Sequence, residues 1–257
     1  MISIICWLWN DNNQLHPKKR IRFTADHVNI LYGMIKRNLH IDYEMVLITD
    51  NSINIDQINS EIRIIPLWDD YKEMGGCFRR LKVFSPEFKD ILGNNRFVTM
   101  DIDCVITNDI TPLLNRDDDF IIWAEEWRKW VYCGSMWMMN CGAREKVWAG
   151  FNPIDYPVNK NGKYSGGTDQ KRINNVLYKN GENTWSSMDG VYSFITDIQK
   201  REKGQIKITH YGKRKVYGSK TGDLPKNARI VFFNGKVDPS NKELQKEYPW
   251  ILQHWHE

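Results

Sequence analysis

The chain has no Cys-x-x-Cys pair, no even set of cysteines, no long basic block and no apolar run long enough to cross a bilayer. Its five cysteines, Cys6, Cys77, Cys104, Cys133 and Cys141, are odd in number and scattered. That spacing argues against a zinc site and against a disulfide framework. Reduced thiols in a cytosol are the expectation, and with them a cytoplasmic protein. The opening Met1-Ile2-Ser3-Ile4-Ile5-Cys6-Trp7-Leu8-Trp9 lacks a positive leader and is too short for a signal-peptide core with its cleavage site. It reads as a first strand. No stretch approaches the roughly 20 apolar residues of a membrane span, so no transmembrane segment is expected. Lys18-Lys19-Arg20 and Lys213-Arg214-Lys215 are the longest basic runs, and 36 basic residues mix with 32 acidic ones for a net charge of +4. Such a pattern does not call for nucleic acid, and a mild basic excess suits an anionic small molecule equally well.

With 257 residues and 41% hydrophobic content, the chain can bury a sizeable core. Buried-strand patterns recur at Ile2 to Trp9, Glu44 to Thr49, Ile62 to Pro66, Arg96 to Met100, Phe120 to Ala124, Met136 to Asn140 and Arg229 to Asn234. Between them, Thr24 to Leu39 carries Val28, Leu31, Ile35 and Leu39 at helical spacing behind a good N-cap residue, and Phe78 to Phe88 does the same with Leu81, Phe84 and Phe88. Strands alternating with helices predict an α/β fold with a mostly parallel sheet. Ligands of open α/β sheets bind beyond the carboxyl ends of strands, where Asn10, Asp101 and Asp103 are expected. The stretches 152–167 and 212–226, rich in Gly, Pro, Asn and Lys, read as loops that cover a cleft.

An apolar strand runs directly into Asp101-Ile102-Asp103. Residues i and i+2 share one face of a strand, so both carboxylates can reach one hard cation while Ile102 packs behind. Magnesium or manganese suits carboxylate and water oxygens and completes its shell with substrate phosphates. A solvated Asp-x-Asp at a strand end is the plainer reading of the same spacing. Eleven Trp residues are present. Trp123, Trp127, Trp130 and Trp137 cluster downstream, where flat aromatic faces suit sugars or a core equally. Glu125 and Glu126 lie among them.

Several motifs in order resemble GT-A glycosyltransferases, in particular the glycogenin-like family 8 type and related small bacterial and viral sugar transferases. Phe97-Val98-Thr99-Met100-Asp101-Ile102-Asp103 followed by Asp109-Ile110-Thr111-Pro112-Leu113 is similar to the family's strand, Asp-x-Asp motif and following segment. Gly76-Cys77-Phe78-Arg79-Arg80-Leu81 resembles the segment whose basic residue, here Arg80, contacts the donor. Met136 to Asn140 looks like the strand facing the acceptor, Gly167-Thr168-Asp169-Gln170 like a helix start that aims Asp169 into the cleft, and Pro225 to Lys236 like the C-terminal strand. The resemblance implies a Rossmann-like GT-A domain over 1–257, with residues 1–115 holding nucleotide and metal and 116–257 the acceptor.

The implied activity is metal-dependent transfer of a sugar from a nucleotide diphosphate sugar, a UDP-sugar, to a hydroxyl of a glycan, lipid-linked sugar or protein. Asp101, Asp103 and Asn234 are implied as ligands of Mn or Mg, Arg80 and Lys236 as charges facing the diphosphate, and Asp169 as the carboxylate nearest the sugar. Trp9, Asn10, Thr49 and Asp50 are implied at the donor base. Two departures stand out. Asn234 replaces the family's usual His, a neutral oxygen in place of an imidazole, and Asp238-Pro239 replaces its Lys-Pro. A non-catalytic nucleotide-sugar or glycan binder of the same fold is therefore a rival. A haloacid-dehalogenase-like phosphatase is another, although its Asp-x-Asp normally opens the chain and about 95 residues precede this one. His210 and His254 are further candidates for the missing ligand, each against a plainer structural role.

Overall fold

Ile2–Leu8 form strand β1, buried along its whole length, as an apolar run on both faces of a central parallel strand must be. A computed structural model describes residues 1–9, 23–50, 53–71, 77–124, 132–152, 155, 168–200, 206–209, 212–215, 219, 221–235 and 237–257. β1 lies within a seven-stranded sheet with β2 (Tyr43–Thr49), β3 (Arg63–Pro66), β4 (Arg96–Met100), β6 (Phe120–Ala124), β7 (Tyr132–Asn140) and β8 (Asn183–Trp185). Their order is β3-β2-β1-β4-β7-β6-β8. The four strands from β3 to β4 are parallel, as are β6 and β8, while β7 runs antiparallel to both of its neighbours.

A second sheet joins β5 (Cys104–Ile106) to β12 (Ile230–Phe232) and β12 to β9 (Val191–Ser193). The chain passes outward from β1 through β2 to β3 and returns to β4 on the other side of β1. That reversal opens a crevice at the carboxyl ends of β1 and β4.

Helix α1 (Ala25–Asn38) begins after Thr24, in extended backbone, and buries Val28, Leu31 and Ile35, as their spacing predicts. These pack with Ile4, Cys6, Met45 and Leu47 on one side of the sheet. On the other side Ile5, Val46 and Trp137 meet Phe78, Leu81 and Phe84. Phe78–Phe84 is a 3₁₀ helix, not the α-helix reaching Phe88 that the apolar spacing predicts. It stops because Ser85 precedes Pro86, which forces Ser85 into extended backbone (φ −75°, ψ 152°). The short α2 (Phe88–Leu92) follows, then α3 (Thr111–Leu114).

The helix expected behind Thr168 is α4 (Asp169–Leu177), continued by a 3₁₀ turn at Tyr178–Asn180. The chain ends in α5 (Lys242–Glu247) and α6 (Trp250–His254). The loop expected over 212–226 begins instead as strand β11 (Gly212–Lys215), paired antiparallel with β10 (Ile206–Thr209). The expected loop at 152–167 lies almost wholly outside the described residues. Among the described residues, no helix is long and apolar enough to cross a membrane.

Candidate active site

Arg80, in the 3₁₀ helix, is 4% exposed and sits at the carboxyl end of β4. Its Nη1 donates to Asp101 Oδ1 at 2.8 Å and its Nη2 to the carbonyl of Gly134 at 2.6 Å. Nε lies 3.4 Å from Asp169 Oδ2, an ion pair without hydrogen-bond geometry, since neither atom has a hydrogen-bond partner. The guanidinium also stands over the rings of Trp137, 4.8 Å from its centroid, and Trp7, at 5.8 Å. Burial opposes the charge on Arg80, but Asp101 and Asp169 outweigh it and raise its pKa, so the cation is fixed.

Asp169 is buried at the start of α4, and its Oδ1 accepts from Gln170 N–H at 2.8 Å. Burial lifts its carboxyl to about 6 against the opposing pull of Arg80. Gln170 accepts from Gly134 N–H at 3.2 Å, which holds α4 against β7. A side chain at Gly134 would press to 3.3 Å of Gln170 Cβ. The Cys77 thiol, beside the same carboxylates, is pushed up to about 12 by burial and by Asp169, so it stays protonated.

Asp101 and Asp103 occupy a bend between β4 and β5, not a strand as their spacing predicts, and Ile102 packs inward at 4% exposure. Asp101 N–H donates to Ser135 O at 2.9 Å, and Ser135 Oγ lies 3.2 Å from Asn234 Oδ1. Phe233 N–H donates to the carbonyl of Asp103 at 2.8 Å, which lays the Asn234 segment beside the bend. Burial, and then the charge of Asp101, push the Asp103 carboxyl well above the usual carboxylate range.

No family model and no curated protein matches the sequence. Solved structures match in shape. The galactosyltransferase LgtC in complex with donor and acceptor sugar analogs superposes with a TM-score of 0.58 at 12% identity, covering 98% of this chain and 96% of that one. The glycosyltransferase GlyE of Streptococcus pneumoniae TIGR4 gives 0.56 at 12% identity, over 99% of this chain and 62% of its own. The chain has a GT-A glycosyltransferase fold. At such identity the likeness is one of fold, and this chain spans less than two thirds of GlyE.

On this GT-A scaffold the structure brings Arg80, Asp101, Asp103, Asp169 and Asn234 to one place. Trp9 lies alongside, edge-on to Trp7 at 6.1 Å. Thr49 ends β2 opposite Leu8, with Asp50 just beyond it. Asn10, Lys236 and His210 fall outside the described residues, as do Glu125, Glu126, Trp127 and Trp130. His254 ends α6, where its carbonyl accepts from Arg37. Trp123 and Trp137 are fully buried, so the faces considered for a sugar belong to the core, although Trp137 also backs Arg80.

Sequence reasoning missed His27. Its Nδ1 accepts from Thr24 N–H at 3.2 Å, so Nε2 carries the hydrogen that faces Asp238 Oδ1 at 3.4 Å. A His on the buried face of an amphipathic helix was the available signal.

The residue types at the bend would suit a hard divalent ion, because Asp101 and Asp103 offer carboxylate oxygens and Asn234, whose Oδ1 lies 3.2 Å from Ser135 Oγ, offers a neutral one. A bound cation would also offset the charge that burial makes costly on Asp103. Among the described residues no group of three or more His, Cys, Asp or Glu is gathered to hold a metal. An ion held here would draw on few protein ligands and would complete its shell from water or phosphate.

Proposed function

We propose that this protein is a divalent-cation-dependent glycosyltransferase that moves a sugar from a nucleotide diphosphate sugar, a UDP-sugar, to a hydroxyl of a glycan, lipid-linked sugar or protein. The observation that carries the reading is the buried Arg80 held between Asp101 and Asp169 at the carboxyl end of β4, in a fold shared with LgtC and GlyE. Departure of a nucleoside diphosphate builds negative charge, and preorganised positive charge in a dry site stabilises that state most. Asp101 and Asp103, with Asn234 as a neutral oxygen, would hold a manganese or magnesium ion, which when bound would supply Lewis acidity to the leaving diphosphate.

Arg80 fixes Asp101 toward the donor and Asp169 toward the sugar with a single guanidinium, so the two carboxylates keep their spacing. Asp169, with its pKa near 6, is mostly ionised at neutral pH and can hold or release a proton beside the reacting hydroxyl. Trp9, Thr49 and Asp50, at or just past the ends of β1 and β2, are assigned with Asn10 to the donor base, and Lys236 to the diphosphate.

The test is release of nucleoside diphosphate from a panel of nucleotide sugars with manganese, magnesium or EDTA, with and without simple sugar acceptors. Metal-dependent release from one donor, accelerated by an acceptor, is the expected result. Binding of nucleotide sugar with no turnover on any acceptor would leave a non-catalytic binding protein of the same fold. Phosphate release from sugar phosphates with no use of nucleotide sugars would turn the assignment to a phosphatase.

A further inference from the structure

Strand β7 begins at Tyr132, before Met136, the first of its residues to pair with β4. Side chains of α4 and of the 3₁₀ helix take up that stretch. Tyr132 N–H donates to Asn174 Oδ1 at 2.8 Å, and Asn174 Nδ2 donates back to the Tyr132 carbonyl at 2.8 Å. The same Nδ2 donates to the carbonyl of Gln170, one turn earlier in α4, at 2.7 Å. Gly134 N–H in turn donates to Gln170 Oε1 at 3.2 Å, and the Gly134 carbonyl accepts from Arg80 at 2.6 Å. The match is one of spacing. Residues i and i+2 of a strand are about 6.7 Å apart, and residues i and i+4 on one face of a helix are about 6 Å apart. Gln170 and Asn174 therefore meet Gly134 and Tyr132 as a neighbouring strand would. Gly134 also underlies the Asp169 carboxylate, since a Cβ there would stand 3.6 and 3.7 Å from its two oxygens.

We infer that Asn174 is a positioning residue for Asp169. By gripping both backbone groups of Tyr132 it fixes the register of α4 on β7, and with it the seat of the Asp169 carboxylate between Gly134 and Arg80. The inference rests on the transferase reading given above. The Asn174 amide has one orientation, because Tyr132 N–H requires an oxygen and the Tyr132 carbonyl requires a donor. Tyr132 is itself anchored, its hydroxyl accepting from Glu182 N–H at 2.9 Å and its backbone lying opposite Ala124 of β6. From that fixed point the grip passes through Gln170, whose N–H closes on Asp169 Oδ1 at 2.8 Å. Arg172 ties α4 separately to the carbonyls of Lys146, Val147 and Ala149, so the helix stays docked without Asn174 and only its fine placement is lost. Groups on the donor side are held elsewhere, Asp101 by the Ser135 carbonyl and Arg80 against Trp7 and Trp137. Loss of the grip therefore moves Asp169 away from Arg80 Nε, now 3.4 Å off, and leaves the diphosphate side in place.

Asn174→Ala removes the grip, and Asn175→Ala makes the same change at the neighbouring, exposed position of the helix. Both are compared with the parent protein at a temperature where circular dichroism shows all three folded. Release of nucleoside diphosphate from the nucleotide-sugar panel gives kcat and KM, and NMR gives amide exchange at Gly134, which bonds Gln170 and not Asn174. In Asn174→Ala, kcat is expected to fall by about 10- to 100-fold, as for groups misplaced by about 1 Å, with donor KM little changed and Gly134 exchanging faster. Asn175→Ala is expected to match the parent in both. A folded Asn174→Ala with parental kcat, or with Gly134 exchanging at the parental rate, overturns the inference whatever its melting temperature, and leaves Asn174 as a local tie. A parent protein that turns over no nucleotide sugar sinks the transferase reading, and exchange at Gly134 then decides alone whether Asn174 sets the seat of Asp169. If Asn174→Ala fails to fold, Asn174→Asp keeps the acceptor for Tyr132 N–H and loses both donated bonds, and the same outcomes apply.

Discussion

Arg80 is the residue on which the site's electrostatics turn, because it is itself buried and neutralises the buried Asp169 and the part-exposed Asp101 at once. Removing one member of a buried charge set strands the others, at a cost of about 3 to 5 kcal/mol. Arg80→Met, close in length and able to lie between Trp7 and Trp137, should lower unfolding stability by that amount in urea melts near neutral pH. A loss below about 1 kcal/mol would mean that the charges are solvated and the pair is only a surface one.

Asp169 gives a pH signature. Its folded pKa of about 6 lies above the ordinary carboxylate value of about 3.9. The folded state therefore holds more protons between those values. That contribution to stability is full below about pH 4 and is lost as pH rises through 6. Asp169→Asn should flatten the stability curve between pH 4 and 7, and the parent's transfer rate should fall as pH drops through about 6. A rate that holds level down to pH 5 would show that ionised Asp169 is not required.

Among the elements, the turn before β9 controls how β12 approaches the Asp103 bend. Gly190 has φ +87°, and a Cβ there would lie 2.2 Å from the carbonyl oxygen of Asn227. Its own carbonyl accepts from Arg229, just before β12, and from Ile230, its first residue. Gly190→Ala should cost at least about 1 to 2 kcal/mol from left-handed backbone alone, or roughly 2 to 8 °C in Tm for a chain of this size. Calorimetry decides it, and an unchanged melting temperature would place the strain elsewhere.

Elements with their own periodicity were legible in the sequence. α1 declared itself through Thr24 and the apolar residues at 28, 31 and 35, β6 through an uninterrupted apolar run, and β4 through Phe97, Val98 and Met100. The three-residue strands β8 and β9 were not, because partners rather than propensity define them. The 3₁₀ helix at Phe78–Phe84 carries the same apolar spacing as an α-helix over two turns, and Pro86 was the sign that it would end early. At the site, the Asp101 and Asp103 pair was visible through its spacing, whereas Arg80 and Asp169 were named only through the resemblance to glycosyltransferases, and the structure brings Arg80 against Asp101 and Asp169. The place of Trp137 was not visible, since its register opposite Thr99 turns it into the core behind Arg80. Asp238 registered only as a departure, because its pairing with His27 spans 211 residues.

At the scale of the whole molecule, the crevice is assembled from distant parts of the chain. β1 and β4 supply its floor, α4 and β7 supply Asp169 and the Gly134 carbonyl, and the β12 segment returns to place Asn234 against Ser135. A ligand bound across these parts engages both cores, so it should stabilise the fold as a unit and not one loop. At 100 times its Kd, a ligand specific for the folded state adds about 2.7 kcal/mol. For a chain of this length that is a Tm rise on the order of 5 to 10 °C. UDP with manganese should produce that shift and UDP with EDTA should produce little, because in the proposed site the diphosphate would meet Asp101 and Asp103 only through the cation. An equal shift in EDTA would place the nucleotide away from the carboxylates. A shift with another nucleoside diphosphate alone would keep the cation site and reassign the donor base, whereas none with any nucleotide would remove the donor assignment itself.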